Sequence, residues 1–200
     1  MNRVDVLILG ILREYDMSQT FEDVKTSNAY RLLHPKIVAL LISVNHAGAV
    51  NGMPAAWVTP LSRNPPLVGA SIAPTRYTYG FLKDSGEFTL NIISKDYVRT
   101  INFLGTVSGR DRDKLRECGL TLRPSRRVRA PHVLEALAVL ECTVYKEVEA
   151  GDHVLIMGRV VEAYVKQGIF EEVYNPRRAK MLMHLGSSSY TTIVDDVLSP

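Results

Sequence analysis

Between Trp57 and Tyr79 the chain gathers short hydroxyl side chains, one helix-start arginine and several aromatic rings, the equipment for holding an anion beside a flat ligand. Thr75, Arg76, Tyr77 and Thr78 stand where a helical pattern begins. A dianion there gains from unpaired N–H groups, hydroxyls and a guanidinium together, so Thr75, Arg76 and Thr78 are candidates for a phosphate ester. Thr59 and Ser62 follow Trp57 and offer hydroxyl and backbone donors. Trp57, the only tryptophan, would border a heterocycle. Farther along, Ser108-Gly109-Arg110 forms a tight turn carrying a second positive charge, and His153 follows the turn residues Gly151-Asp152.

Each of these has a plainer reading. Loop hydroxyls bond their own backbone, and an N-cap with a surface arginine is commonplace. Trp57 fits a core or interface position equally well. Arg110 fits a helix cap with an Asp111–Arg pair, and a hairpin-turn histidine is usually structural.

No catalytic set stands beside these residues. The five histidines show no zinc spacing. There is no Gly-x-Ser-x-Gly elbow, no Walker loop and no Gly-x-Gly-x-x-Gly fingerprint. Chemistry borne by a cofactor explains a chain without an acid–base constellation. Cys118 and Cys142 lack C-x-x-C spacing and are too few for a disulfide framework, so both read as reduced thiols.

The elements that must position these residues are mostly strands. Ile37–Val44 is a nearly continuous apolar run, suited to a strand buried on both faces. Ala55–Val58 and Leu67–Ile72 read as strands joined by a Thr-Pro-Leu-Ser-Arg-Asn-Pro-Pro loop, held out of the sheet by its adjacent prolines. Thr75 or Thr78 is expected to cap a helix ending at Ser85-Gly86. Glu87–Ile93 reads as a strand, and Asp96–Leu104 as a helix ending at Gly105. Asp111–Cys118 reads as a charged helix. Ala136–Val148 alternates, with Glu141 on its polar side, and pairs with His153–Val165 through a turn at Gly151. Such a pattern predicts an antiparallel barrel.

Composition narrows the classes. Apolar residues make up 46% and charged residues 22%, enough for a core and against disorder. The net charge of +3 implies no nucleic-acid partner, and the arginines from Arg110 to Arg129 lack interleaved aromatics for base stacking. The run Val6–Leu12 is far shorter than the ~20 residues of a membrane span and is followed by no cleavage signal. It is expected to be an added strand or short helix in an N-terminal extension, residues 1–20, of which 1–16 are expected to be dispensable for cofactor binding. A single domain is expected over 21–200, with Gly186–Tyr190 in a tail expected to close over the cofactor of the same or the partner subunit.

The ordered set W-V-T-P-L-S-R-N-P-P-L-V (57–68), T-R-Y-T-Y (75–79) and S-G-E-F-T-L-N (85–91) continues with Gly105, Ser108–Lys114, Leu140-Glu141-Cys142 and Gly151-Asp152-His153. Together these resemble the flavin reductase-like family of FMN-binding split β-barrels, over roughly residues 28 to 165. The resemblance implies a mainly β, Greek-key split barrel with a few short peripheral helices, homodimeric, with FMN near the subunit interface. It implies flavin contacts from Trp57, Val58, Thr59 and Ser62, and from Asn91 at the ring's polar edge. Phosphate contacts would come from Thr75, Arg76, Tyr77 and Thr78, and cofactor contacts also from Gly105, Ser108, Gly109 and Arg110. His153 would stand near the flavin or the incoming nicotinamide. The activity implied is that of a cytoplasmic NAD(P)H:flavin oxidoreductase whose reduced flavin passes electrons to an acceptor. A ferric or other metal-chelate reductase, and a non-catalytic FMN electron carrier, are the alternatives on the same scaffold.

Overall fold

A computed structural model describes residues 21–198, so the expected extension before Phe21 lies outside the described residues. In chain order, a 3-10 helix (Thr26–Leu33) precedes β1 (Lys36–Ile37), β2 (Ala39–Val44), β3 (Val50–Ala55), β4 (Val58–Arg63) and β5 (Pro66–Ile72). Next come α1 (Tyr77–Ser85), β6 (Glu87–Ile92), a 3-10 turn (Lys95–Tyr97), α2 (Val98–Thr106) and α3 (Lys114–Glu117). The chain ends with β7 (Leu122–Arg123), β8 (His132–Val133), β9 (Ala138–Ala150), β10 (His153–Val165), β11 (Leu182–Gly186) and β12 (Ser189–Thr192).

The principal sheet is antiparallel and seven-stranded, in the order β3-β2-β6-β9-β10-β5-β4. Its two edges, β3 and β4, are joined by Ala56 and Trp57 alone. That link spans at most about 11 Å, so the sheet must curl until its edges nearly meet. The result is a mainly β split barrel. The β9–β10 hairpin sits between β6 and β5, which makes the order non-sequential and Greek-key-like.

β2 is buried along its whole length, as its continuous apolar run predicts. Leu41 packs inside the barrel with Ile72, Phe88, Leu90 and Ile156. Leu40 and Ile42 face outward into a second core with Ile101 and Leu104 of α2 and Leu115 of α3. Each fully buried side chain of this size contributes about 1.5–3 kcal/mol. The second core clamps α2, and with it Gly105 and Thr106, against the barrel.

Local expectations fail in several places. The strand expected at Ala55–Val58 is instead β3 at Val50–Ala55, with Ala56 and Trp57 between strands. The stretch read as a loop after Trp57 is a hairpin: β4 runs through Thr59, Pro60 and Ser62, turns at Asn64-Pro65, and returns as β5. Pro60 is tolerated because β4 is an edge strand, paired with β5 on one side alone and irregular in register just after Pro60. Neither threonine caps α1. The N-cap is Arg76, with no side-chain cap bond, while Gly86 ends the helix in the left-handed region at φ 66°. The charged helix shrinks to α3, one turn capped by Asp113, whose carboxylate accepts from the Arg116 N–H at 3.2 Å.

Glu141 is the largest surprise on β9. Alternation places it on the polar face, yet it is fully buried. Its carboxylate accepts the N–H groups of Arg126 (2.8 Å) and Arg127 (2.7 Å) and the Tyr164 hydroxyl (3.0 Å). Burial alone raises its pKa, but these donors outweigh burial and hold it below the ordinary carboxylate value. The arginine-rich segment is thereby laid over the strand, with Arg126 and Arg127 facing Glu162 and Arg129 facing Glu87.

Candidate functional site

Where the barrel edges approach, a cleft of about 520 Å³ opens. It is lined by the end of β3 and the link after it, Met53 to Trp57, and by the end of β5 with Ala73. α2 supplies Asn102, Gly105 and Thr106, and the β11–β12 hairpin supplies His184, Ser187, Ser188 and Tyr190. That hairpin does lie over the cleft of its own chain. His153, from the start of β10, stacks on Trp57 with centroids 4.7 Å apart and planes at 30°. Its Nδ1–H donates to the Asp152 carboxylate at 2.7 Å, and that bond holds Asp152 below its ordinary pKa. Tyr30 closes on Trp57 edge-on at 5.6 Å, so the mouth is rimmed by rings.

A second compartment of about 270 Å³ continues from the cleft, with Met53, Pro54, Arg76, Gly105 and Thr106 common to both. It collects Thr75, Arg76, Tyr77 and Thr78 from the start of α1, Ser108, Gly109 and Arg110 from the following loop, and Lys114 from α3. Arg76, Arg110 and Lys114 line it, and no aspartate or glutamate does. The first N–H groups of α1 have no acceptor within the helix, and they add partial positive charge. Arg110 donates to the Thr75 carbonyl at 3.3 Å and lies over the Tyr77 ring. Asn51 donates its side-chain N–H to Thr78 Oγ1 at 2.8 Å.

Lys114 is the most telling group. It is buried, and its ammonium has one contact, donation to the Leu104 carbonyl at 2.7 Å. Burial and then the nearby Arg76 charge lower its pKa from 10.5 to about 8. A buried cation beside another cation, in a compartment lined by no carboxylate, leaves a positive charge that an anion would offset. The compartment therefore fits a phosphate ester by charge, donor type and size.

The structure gathers Trp57, Arg76, Gly105 and His153 in the cleft, and Thr75, Arg76, Tyr77, Thr78, Gly105, Ser108, Gly109 and Arg110 in the compartment. Val58, Thr59, Ser62 and Asn91 line neither. Val58 packs against the barrel core, and Thr59 Oγ1 turns onto the Pro60 carbonyl at 3.3 Å. Both follow from β4 being a strand, as does the position of Ser62. Asn91 is fully buried and fully used: it donates to the Leu40 carbonyl and Thr89 Oγ1 and accepts from the Val133 N–H. No donor of Asn91 is left for a ligand.

Asn51, the Met53–Ala56 run, Lys114 and His184 are the residues that sequence reasoning missed. Lys114 sits among charged neighbours and reads as surface; the adjacent Leu115, with Cys118 three residues on, was the faint sign of a buried turn.

The family model described as "Flavin reductase like domain" matches residues 30–184, and the chain belongs to that family. An uncharacterized protein of Pyrococcus abyssi is 38% identical over 168 residues, covering 84% of this chain and 96% of its own. An FMN-binding protein from Thermus thermophilus, solved with bound p-hydroxybenzaldehyde, superposes with a TM-score of 0.79 at 26% identity, covering 91% of this chain and 99% of its own. Flavoredoxin of Desulfovibrio vulgaris (Miyazaki F) shares the fold with a TM-score of 0.79 at 24% identity, over 90% of this chain and 96% of its own.

Proposed function

We propose that the protein is an FMN-binding oxidoreductase that takes hydride from NAD(P)H and delivers electrons through the flavin to an acceptor. One observation carries this reading: a carboxylate-free compartment holding Arg76, Arg110 and Lys114 opens directly into a ring-rimmed cleft. Family membership and the FMN-binding relative support it.

Arg76, Arg110, Lys114, Thr78 and the first N–H groups of α1 would hold the phosphate. The Met53–Trp57 link would border the isoalloxazine, which when bound supplies the two-electron redox chemistry. Trp57 and Tyr30 exclude water from one side of the cleft. His153 is fixed by Asp152 through Nδ1, which leaves Nε2 to accept a hydrogen bond from a substrate amide. A homodimer in the cytoplasm is part of the proposal. The 3-10 helix beside the mouth leaves Leu32 and Leu33 exposed at 68% and 67%, an apolar face that a second subunit would cover.

The visible absorbance of the purified protein tests the cofactor, and steady-state NAD(P)H oxidation with excess free FMN tests the reaction. Turnover with free flavin supports the reductase. Tight flavin with negligible turnover makes the protein a carrier, and turnover that needs a ferric chelate makes it a metal-chelate reductase. A colourless protein that binds no added flavin sinks all three.

A further inference from the structure

We propose that the electron acceptor is a small, neutral, conjugated carbonyl compound of the quinone type, and that the Tyr190 hydroxyl gives its carbonyl oxygen a proton. This rests on the flavin reading above and names a substrate class and a proton donor for that same cleft.

Charge selects the class. Apart from its histidines, the cleft lining carries two ionic side chains among the described residues, Arg76 and Asp152. Arg76 also lines the compartment, where it is assigned to the phosphate, and Asp152 is bonded to His153. Neither charge is left for an anionic or cationic acceptor, so a neutral one fits. The rings of Trp57, His153 and Tyr30 at the mouth favour a flat one. The cleft, at about 520 Å³, lies toward the small end of ligand pockets, so beside an isoalloxazine it has room for one small ring system.

Tyr190 supplies what such an acceptor needs. It lies on β12, paired with His184 of β11, and lines the cleft. Tyr79 and Tyr164 donate their hydroxyls to Glu147 and Glu141. The Tyr190 hydroxyl makes no such bond among the described residues, and burial alone raises its pKa, so it stays a neutral O–H donor. Its ring is braced. It packs against the second core, and its centroid stands 5.3 Å from that of His184. His184 is fixed in turn by donation from Nε2 to the Ser187 carbonyl at 2.8 Å.

The exchange balances. A quinone takes up two electrons and two protons to become a hydroquinone, and NAD(P)H supplies two electrons and one proton as hydride. The second proton comes from Tyr190, whose O–H bond breaks as a new O–H forms on the substrate oxygen. The tyrosinate recovers a proton from water at the mouth. The sum is NAD(P)H, one solvent proton and quinone giving NAD(P)+ and hydroquinone.

Two measurements on the flavin-loaded protein test this, the first without turnover. Acetophenone, a neutral aromatic ketone, should bind the oxidised protein about fivefold more weakly in Tyr190→Phe, the loss of one neutral hydrogen bond read by calorimetry. That variant keeps the ring and its packing, which thermal melts check. Oxidation of the dithionite-reduced protein by duroquinone, followed by stopped flow, should slow about a hundredfold in the same variant, and far more than reduction by NAD(P)H slows. Acetophenone affinity unchanged by the substitution overturns the proposal. So does a slowing confined to reduction by NAD(P)H, which would assign the hydroxyl to the nicotinamide carboxamide. Faster oxidation by ferric citrate, an anionic chelate, than by duroquinone overturns it too. Each of these leaves the flavin reading standing, whereas a protein that takes up no flavin loses both.

Discussion

Two buried ionisable groups, Glu141 and Lys114, show opposite kinds of accommodation. Glu141 is enclosed by donors: backbone N–H groups on one side and the Tyr164 hydroxyl on the other. Lys114 has one carbonyl and a neighbouring cation. The first is a finished structural site, closed to any ligand. The second has little to offset its charge, which is why the proposed phosphate is placed there. Among buried polar groups, the number of satisfied bonds separates scaffold from site better than residue type does. Asn91 and Asn51 repeat the contrast, one fully bonded between strands and the other standing at a cavity wall.

The comparison can be broken most sharply at Glu141. Glu141→Ala should destabilise the protein by about 3 kcal/mol or more, because it strands buried donors. Urea denaturation would measure this, and a loss below about 1 kcal/mol would mean the Arg126–Val128 segment finds other partners. Its pH dependence has a definite sign. The folded pKa lies below the unfolded value, so the contribution is present above that value and is lost as pH falls through the acid range.

Lys114→Met should do the reverse, weakening FMN by about 1.5–3 kcal/mol while changing apo-protein stability by only about 1 kcal/mol. Calorimetric titration alongside thermal melts separates the two, and equal losses in both would make Lys114 scaffold. Here the folded pKa is depressed to about 8 from 10.5. Between those values the unfolded chain binds more protons, so apo stability rises with pH across that window. An anion favours the charged form. FMN affinity should therefore fall above pH 8 in the unmodified protein and stay flat there in Lys114→Met; parallel slopes would place the phosphate elsewhere.

Smaller effects refine the boundary of the site. Thr78→Val removes the hydroxyl that accepts from Asn51, and should weaken FMN by about 1.5 kcal/mol. Unchanged affinity in a fluorescence titration would move Thr78 to the scaffold side. His153→Ala should slow reduction by NAD(P)H more than it weakens FMN, read by stopped-flow absorbance. If only FMN affinity changes, His153 serves as a prop for Trp57.

Much of this was legible in the chain. Apolar continuity from Ile37 to Val44 suited a strand buried on both faces, and Ala39–Val44 is one, although Ile37 belongs to β1 of the smaller sheet. The β9–β10 hairpin followed from alternation around a glycine turn, and the phosphate candidates at Thr75–Thr78 were visible as hydroxyls and a cation where a helix starts. Hydroxyl content misled at Thr59 and Ser62, since composition does not say which side of an edge strand faces the cleft. Glu141 and Lys114 both read as solvated charges, because sequence alternation records a face and not what covers it.

By itself, then, the sequence determined most strands, the family and the chemical character of the α1 start, because these depend on local patterns and short-range order. Only the tertiary structure decided that α3 turns Lys114 inward beside Arg76, that Asn91 is spent on β8, and that the cleft forms where two sheet edges meet. Those outcomes depend on contacts between residues far apart in the chain, and on how much water the packing leaves around each charge.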